Sequence, residues 1–210
     1  MTLQATSELP IAGIVLAAGA SRRMGRPKQL LTFRGTTFLR RIVEEALASP
    51  LSHVLVVVGA HTPAATAALT GLPVGVVENQ DWAQGQGTSV GTGIRALRER
   101  APETSAAVFL LADQPLVTAE CINLLITTHR RTGASLVASR REERLEAPAL
   151  FSFTFFDELS ALQGDAGARE ILRRHEAHAT GIVLPGAAVD VDTPDDYERL
   201  IALDQKESRS

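Results

Sequence analysis

The chain has 210 residues, 45% of them hydrophobic and 21% charged, a balance that excludes fibrous and disordered classes. It fits one globular domain, or at most a domain with a small lobe. A formal charge of −3 lacks the cationic excess that gripping a nucleic-acid backbone requires, so no nucleic-acid partner is expected. The lone cysteine, Cys121, rules out an internal disulfide framework and a Cys-rich zinc site, and it suits a reducing, cytoplasmic compartment.

Met1 to Pro10 carries Glu8 and no basic leader region, and the apolar run Ile11 to Ala18 is too short to span a bilayer. Neither a signal peptide nor a membrane segment is expected. From there, short β-branched runs alternate with stretches of helical period. The first part of the chain predicts a strand at Ile11–Ala17, a helix at Thr37–Ala48, a strand at Val54–Val58 and a helix at Pro63–Thr70. A strand at Val74–Val77, a helix at Thr88–Arg100, a strand at Ala107–Leu111 and a helix at Ala119–Thr132 follow. The last third predicts strands at Ser135–Ala138 and Pro148–Phe151, helices at Phe153–Ala161 and Ala166–Arg174, a strand at Gly181–Leu184 and a helix at Pro194–Leu203.

Only 4% of residues are aromatic, so Val, Leu, Ile and Ala must fill the core. That composition favours buried parallel strands covered by Ala-rich helices, a doubly wound α/β sheet. In the helix at 37–48, Leu39, Ile42, Val43, Ala46 and Leu47 form one apolar stripe, with Arg40, Arg41, Glu44 and Glu45 on the reverse face. A single domain is expected over residues 1–210, with its core over 11–203 and frayed tails at 1–9 and 204–210. The charged run Arg140–Glu146 is expected to be a solvated hairpin or loop between the fifth and sixth strands, or the border of a substrate site.

The first strand runs into Leu16-Ala17-Ala18-Gly19-Ala20-Ser21-Arg22-Arg23-Met24-Gly25-Arg26-Pro27-Lys28. Small side chains from Ala17 to Ala20 allow backbone N–H groups to come close to a ligand. Arg22, Arg23, Arg26 and Lys28 add four cations, which suits a polyphosphate. A simple chain reversal accounts for Gly19 but not for that charge at the carboxyl end of a buried strand, where α/β sheets bind ligands. Neither G-x-x-x-x-G-K-[ST] nor G-x-G-x-x-G is present, so this is a third kind of nucleotide loop.

Asp113 ends the apolar run Val108 to Ala112, and a carboxylate there needs a partner because burying it alone is costly. A magnesium ion is one such partner, since it takes few carboxylates and completes its shell with water and phosphate oxygens. In Asp190-Val191-Asp192 the alternation turns both acids to one side and Val191 to the core, and either acid can face the metal. Asp192 can instead cap the helix at Pro194, but Thr193 is available for that task.

Gly85-Gln86-Gly87-Thr88-Ser89 reads as a helix start with Thr88 or Ser89 as cap, and its glycines leave N–H groups for a base or ribose. Gly164-Asp165-Ala166-Gly167-Ala168-Arg169 reads as a second start, capped by Gly164 or Asp165. Arg169 opposes that helix's dipole, which points to an anionic ligand. His175 and His178 are read as surface residues, His53 and His61 as loop residues, Trp82 as a lid or packing anchor, and Cys121 as a buried small side chain.

Five blocks, in order, carry a resemblance. Leu16-Ala17-Ala18-Gly19-x-Ser21-x-Arg23-Met24-Gly25-x-x-Lys28 is followed by Glu78-Asn79-x-x-Trp82-x-x-Gly85-x-Gly87-x-Ser89 and Leu111-x-Asp113-Gln114-Pro115. Gly164-Asp165-x-Gly167-Ala168-Arg169 and Asp190-Val191-Asp192-Thr193-Pro194-Asp195-Asp196 complete the set. The pattern is similar to that of MobA-like nucleotidyltransferases, and its Ala-Ala-Gly form resembles the molybdenum cofactor cytidylyltransferase branch. The resemblance implies a three-layer Rossmann-like fold of the nucleotide-diphospho-sugar transferase type, with a mostly parallel, mixed sheet of about seven strands.

It further implies Mg²⁺-dependent transfer of CMP from CTP to molybdenum-bearing molybdopterin, with a molybdoenzyme or its chaperone as a further partner. Arg23, Lys28 and Asp113 would be catalytic, and Asp113 and Asp192 would hold the metal. Leu16, Ala17, Ala18, Gly19, Ser21, Arg22, Asn79, Gly87 and Ser89 would bind the nucleotide, and Arg169 the acceptor's phosphate. Asn79 stands where the guanylyltransferase branch carries an acid, and Ala18 where that branch has glycine, which tilts the base towards cytosine. GTP as donor, a sugar phosphate as acceptor, and a non-catalytic nucleotide- or cofactor-binding protein are the alternatives.

Overall fold

The computed structural model describes residues 9–207. Of the expected tails at 1–9 and 204–210, residues 1–8 and 208–210 lie outside the described residues. Seven strands form the main sheet: β1 (Ile11–Ala17), β4 (His53–Val58), β5 (Gly75–Glu78), β6 (Ala106–Leu111), β7 (Leu136–Arg141), β8 (Arg144–Ser152) and β9 (Thr180–Ile182). Their order is β5-β4-β1-β6-β8-β7-β9. β1 pairs in parallel with β4 and β6, β4 with β5, and β7 with β9, while β8 runs antiparallel to β6 and β7. A small hairpin joins β2 (Thr32–Phe33) and β3 (Thr36–Thr37) around Arg34 and Gly35, both at positive φ.

The period of two along β1 builds a core on each face of the sheet. Ile11, Val15 and Ala17 face α1 (Phe38–Ala48), α2 (Thr62–Ala68) and α4 (Ala119–Thr132). Ala12, Ile14 and Leu16 face α3 (Gln86–Arg100), α5 (Phe156–Ser160) and α6 (Ala168–Arg174). The predicted stripe of α1 is buried at Leu39, Ile42, Val43 and Ala46, and Leu39, Ile42 and Val43 each contribute about 1.5–3 kcal/mol by leaving water. Thr37 caps this helix by accepting from the Arg40 N–H at 3.2 Å.

A third, smaller cluster holds Met24, Leu31, Phe33, Phe38, Val191 and Leu200, the last from α7 (Pro194–Glu207). It fastens the segment after β1 to the end of the chain. α7 continues through Glu207, so helix extends into the segment from residue 204 that was expected to be a tail. The charged run at 140–146 is a hairpin, but its second arm is strand from Arg144 onward and includes Pro148, with a bulge opposite Ala138 and Ser139. His53 belongs to β4 rather than to a loop, and Cys121 is half-buried. No helix among the described residues is long and apolar enough to cross a membrane.

Candidate active site

The parallel strands β1, β4, β5 and β6 all point their carboxyl ends at one edge, where chain reversals leave backbone groups open to a ligand. A cavity of about 660 Å³ opens there. Leu16 to Gly19, Arg23 and Lys28 form one wall, Trp82, Gly85, Gln86 and Ser89 a second, and residues 165–170 a third. Asp113, Asp190 and Asp192 lie at its acidic end.

The loop after β1 is held from within. Ser21 has φ of 54°, its carbonyl accepts from the N–H groups of Met24 and Gly25, and its hydroxyl accepts from the Lys28 N–H at 2.9 Å. Gln29, only 2% exposed, accepts from the Ser21 hydroxyl and donates to the carbonyls of Ala17 and Gly19. Sequence reading missed Gln29; its one signal is an amide beside the apolar pair Leu30-Leu31. Met24 anchors the loop in the third cluster.

Gly19 is the open point of this loop. A Cβ built there meets nothing within 4 Å, and its backbone is not in the positive-φ region. Neither chain strain nor internal packing calls for glycine here, whereas a ligand approaching the backbone would.

Two of the four loop cations face the cavity. Lys28 donates from Nζ to Oδ2 of Asp113 and, at 2.9 Å, to Oδ1 of Asp192. Arg23 Nη2 lies 2.9 Å from the other oxygen of Asp192. Arg26 instead stacks on the Tyr197 ring at 5.4 Å, and Arg22 is exposed away from the cavity lining.

Burial works against the Lys28 ammonium, but Asp113 and Asp192 outweigh it and leave the ammonium's pKa raised. Burial likewise acts to raise Asp192, and the hydrogen bond and charge of Lys28, with Arg23, turn the net shift downward. Asp190 is raised, chiefly by burial and against the hydrogen bond from Gln114 Nε2 at 2.9 Å.

The two acid segments are also tied through the backbone, since the Val191 N–H donates to the Asp113 carbonyl at 3.1 Å. Val191 is fully buried, as the alternation predicts. Thr193 caps α7 by exchange with Asp196: Thr193 N–H and hydroxyl donate to Asp196 Oδ2 at 2.9 and 2.7 Å, leaving Asp192 free of capping duty. Asp113 and Asp192 therefore aim at one shared cation. That donor set suits a hard divalent ion that keeps water and phosphate oxygens in its shell, and no set of three His, Cys, Asp or Glu among the described residues offers an all-protein site.

The second wall is braced from within. Asn79 is 2% exposed and does not line the cavity: its Nδ2 donates to the hydroxyls of Thr88 and Ser89 at 2.8 and 2.9 Å, and its Oδ1 accepts from the Asp81 N–H. It braces the wall that Ser89 lines. The cap of α3 is Gly85 rather than Thr88 or Ser89, which sit inside the first turn, and Thr88 donates back to the Gly85 carbonyl at 2.8 Å. A Cβ on Gly85 would come within 2.2 Å of Gly164, and one on Gly87 within 2.7 Å of the Gln163 and Ala166 carbonyls. The Gly87 N–H donates to the Gly164 carbonyl at 2.9 Å, so Gly87 packs backbone on backbone.

The second helix start is capped by Gly167, not by Gly164 or Asp165. Arg169 does sit in that first turn, three-quarters exposed, 3.9 Å from the buried Glu146. Glu146 also pairs with Arg141 at 2.9 Å, and Arg141 lies 3.8 Å from Asp190, so ion pairs link the charged hairpin to an acid of the cavity lining. Ser21 supports the loop from behind. Trp82 is half-buried against the second core and lines the cavity beside Gly59, whose absent Cβ lets Trp82 and Ala18 close on each other. His175 bonds to Glu158 at 2.9 Å, apart from the exposed His178.

Comparison with known proteins agrees with this geometry. The model of the MobA-like NTP transferase domain matches residues 13–179. Purine catabolism protein PucB of Bacillus subtilis is 34% identical over 89% of this chain and 93% of its own length. Nicotine blue oxidoreductase of Paenarthrobacter nicotinovorans is 33% identical over 80% and 84%. A probable molybdenum cofactor guanylyltransferase of Mycobacterium bovis is 31% identical over 80% of each. Among solved structures, Rv0371c of Mycobacterium tuberculosis in complex with manganese superposes with a TM-score of 0.74 at 30% identity, over 91% of this chain and 97% of that one.

Proposed function

The chain belongs to the MobA-like NTP transferase family and is a nucleotidyltransferase, and from that premise we propose that it transfers CMP from CTP to the phosphate of molybdenum-bearing molybdopterin. The observation that carries the reading is the meeting of Lys28, Asp113 and Asp192 beside the open Gly19 loop. Mere binding does not call for two converging acids next to a phosphate loop.

In this reading the acceptor's phosphate oxygen attacks the α-phosphorus of the nucleotide. A new P–O bond forms as the bond to the β-phosphate's bridging oxygen breaks, and the electron pair leaves with pyrophosphate. Such a displacement needs alignment and charge neutralisation, not a covalent intermediate. Backbone N–H groups near Gly19 bind phosphate oxygens, while Arg23 and Lys28 neutralise charge on the α-phosphate and the leaving group. Asp113 and Asp192 hold magnesium, which supplies further positive charge to the phosphate oxygens when bound. Arg169 offers a planar donor fork to the acceptor's phosphate.

Ala18 is the residue that supports CTP, while Asn79 Nδ2 bonds to Thr88 and Ser89. Ala18 packs beside Gly59 and lines the cavity, and by the family resemblance it stands where the guanine branch has glycine. GTP is the second reading, favoured by the printed name of the Mycobacterium bovis relative. A cytoplasmic setting accords with the single free thiol.

The test is pyrophosphate release by the purified protein with Mg²⁺, molybdenum-loaded molybdopterin and each of the four nucleoside triphosphates in turn. Release with CTP alone is the expected result. Release with GTP alone transfers the assignment to the guanine branch, and no release with any of them removes this acceptor.

A further inference from the structure

Each carboxylate expected to hold a divalent ion already has a cation against it, and one of those cations is shared. Lys28 Nζ bonds to both Asp113 and Asp192, and Arg23 closes the outer oxygen of Asp192 at 2.9 Å. Lys28 is four-fifths buried, so its ammonium has little water to return to. The neighbouring charges are balanced as well: Asp190 and Glu146 face Arg141 and Arg169. A divalent ion entering alone would displace the ammonium and leave uncompensated positive charge in a half-buried site, which is unfavourable at these distances.

We infer that Lys28 and the divalent ion are alternative partners of the Asp113–Asp192 pair, so the ion binds strongly only when it arrives with a polyphosphate. The incoming anion supplies the missing negative charge and gives the displaced ammonium a new partner within reach of the Gly19 loop. Lys28 thus acts twice, first as the resident counter-ion of the two acids and then as a ligand of the phosphates. The consequence is positive thermodynamic coupling between metal and nucleotide, with each tightening the other by the same factor. This rests on the proposed nucleotide site for its second half only, because the competition between ammonium and ion needs no nucleotide.

The test is a Mn²⁺ titration of the full chain followed by electron paramagnetic resonance, with and without CTP and with no acceptor. The wild type should bind Mn²⁺ weakly alone and at least about tenfold more tightly with CTP, the scale of one close charge pair. Lys28→Met should bind Mn²⁺ about tenfold more tightly than wild type without CTP and show a smaller CTP effect, whereas Lys28→Arg, which keeps the charge, should not tighten it. If Lys28→Met does not fold, Arg23→Gln serves, because Arg23 is 72% exposed and its loss should tighten Mn²⁺ in the same direction by a smaller factor.

Equal Mn²⁺ affinity in wild type and these variants without CTP overturns the exchange. So does undiminished binding in Asp192→Asn, which would mean the ion sits elsewhere. Failure of CTP to bind at all, with the Lys28→Met tightening intact, would instead overturn the nucleotide reading and leave the exchange standing.

Discussion

The loop at 17–28 and the loop at 85–89 are both glycine-bearing reversals at the carboxyl edge of the sheet, and they use glycine for opposite ends. At Gly19 the missing side chain leaves open space that faces the cavity. At Gly85 and Gly87 the missing side chains let the start of α3 press onto the 163–166 backbone, and Gly85 also needs its φ of 122°. One glycine makes room for something outside the chain, and the other two make room for the chain itself. The comparison teaches that a glycine's task is read from what its Cβ would meet, which no motif spells out.

Substitutions at these two loops should act on different properties of the protein. The largest effect is expected at the acids and cations beside the first loop. Lys28→Ala should lower pyrophosphate release by about 10²–10³-fold, the loss typical of one preorganised charge-stabilising donor, while thermal unfolding shows a folded protein. Asp113→Asn should show the same loss with a displaced Mg²⁺ requirement, and a normal magnesium titration in that variant would count against its place in the site.

Next come Gly85→Ala and Gly87→Ala, each expected to cost about 3 kcal/mol of stability through backbone overlap, with added left-handed strain at Gly85. Calorimetry on the two variants reads this directly, and an unchanged Tm would restore the reading of Gly87 as a nucleotide contact. Asn79→Ala should cost about 1–2 kcal/mol by leaving the Thr88 and Ser89 hydroxyls without their donor. Asn79→Asp should lose stability without a switch from CTP to GTP; a switch would show that this position reads the base after all.

The smallest change in stability belongs to Gly19→Ala, within about 0.5 kcal/mol of wild type because nothing is overlapped. Its nucleotide affinity, measured by calorimetric titration, should nonetheless fall about tenfold or more, since the new methyl stands where a phosphate would approach the backbone.

The parts of this molecule legible in the sequence are those where one periodicity ruled. β1 and α4 fall within the bounds their patterns predict, because an unbroken apolar run and a stripe ended by Gly133 leave no choice. β8 begins four residues earlier than its pattern suggests, since charges at 140–146 mask a strand whose partner is already in place and Pro148 hides at the bulge. The β2–β3 hairpin offers two residues per strand, too few for any alternation to register.

In the site, Asp113 is legible as an acid that closes an apolar strand and needs a partner, whereas the choice of Asp192 over Asp190 comes from the family resemblance. The inward turn of Asn79 is not legible. Whether a polar side chain at a strand end turns outward to a ligand or inward to support a neighbouring turn depends on contacts between distant segments. Gln29 was hidden for the same reason, as its acceptors are carbonyls ten and twelve residues away.

The small apolar plug formed by Met24, Leu31, Phe33, Phe38, Val191 and Leu200 carries a consequence for how this protein fails on warming. It joins the cation-bearing loop to the acid-bearing segment through packed side chains, and it is far smaller than the two layers that clasp the sheet. Gentle heating should therefore loosen this joint and silence turnover at a temperature where the strands still resist amide exchange. Shortening the last helix should do the same at room temperature.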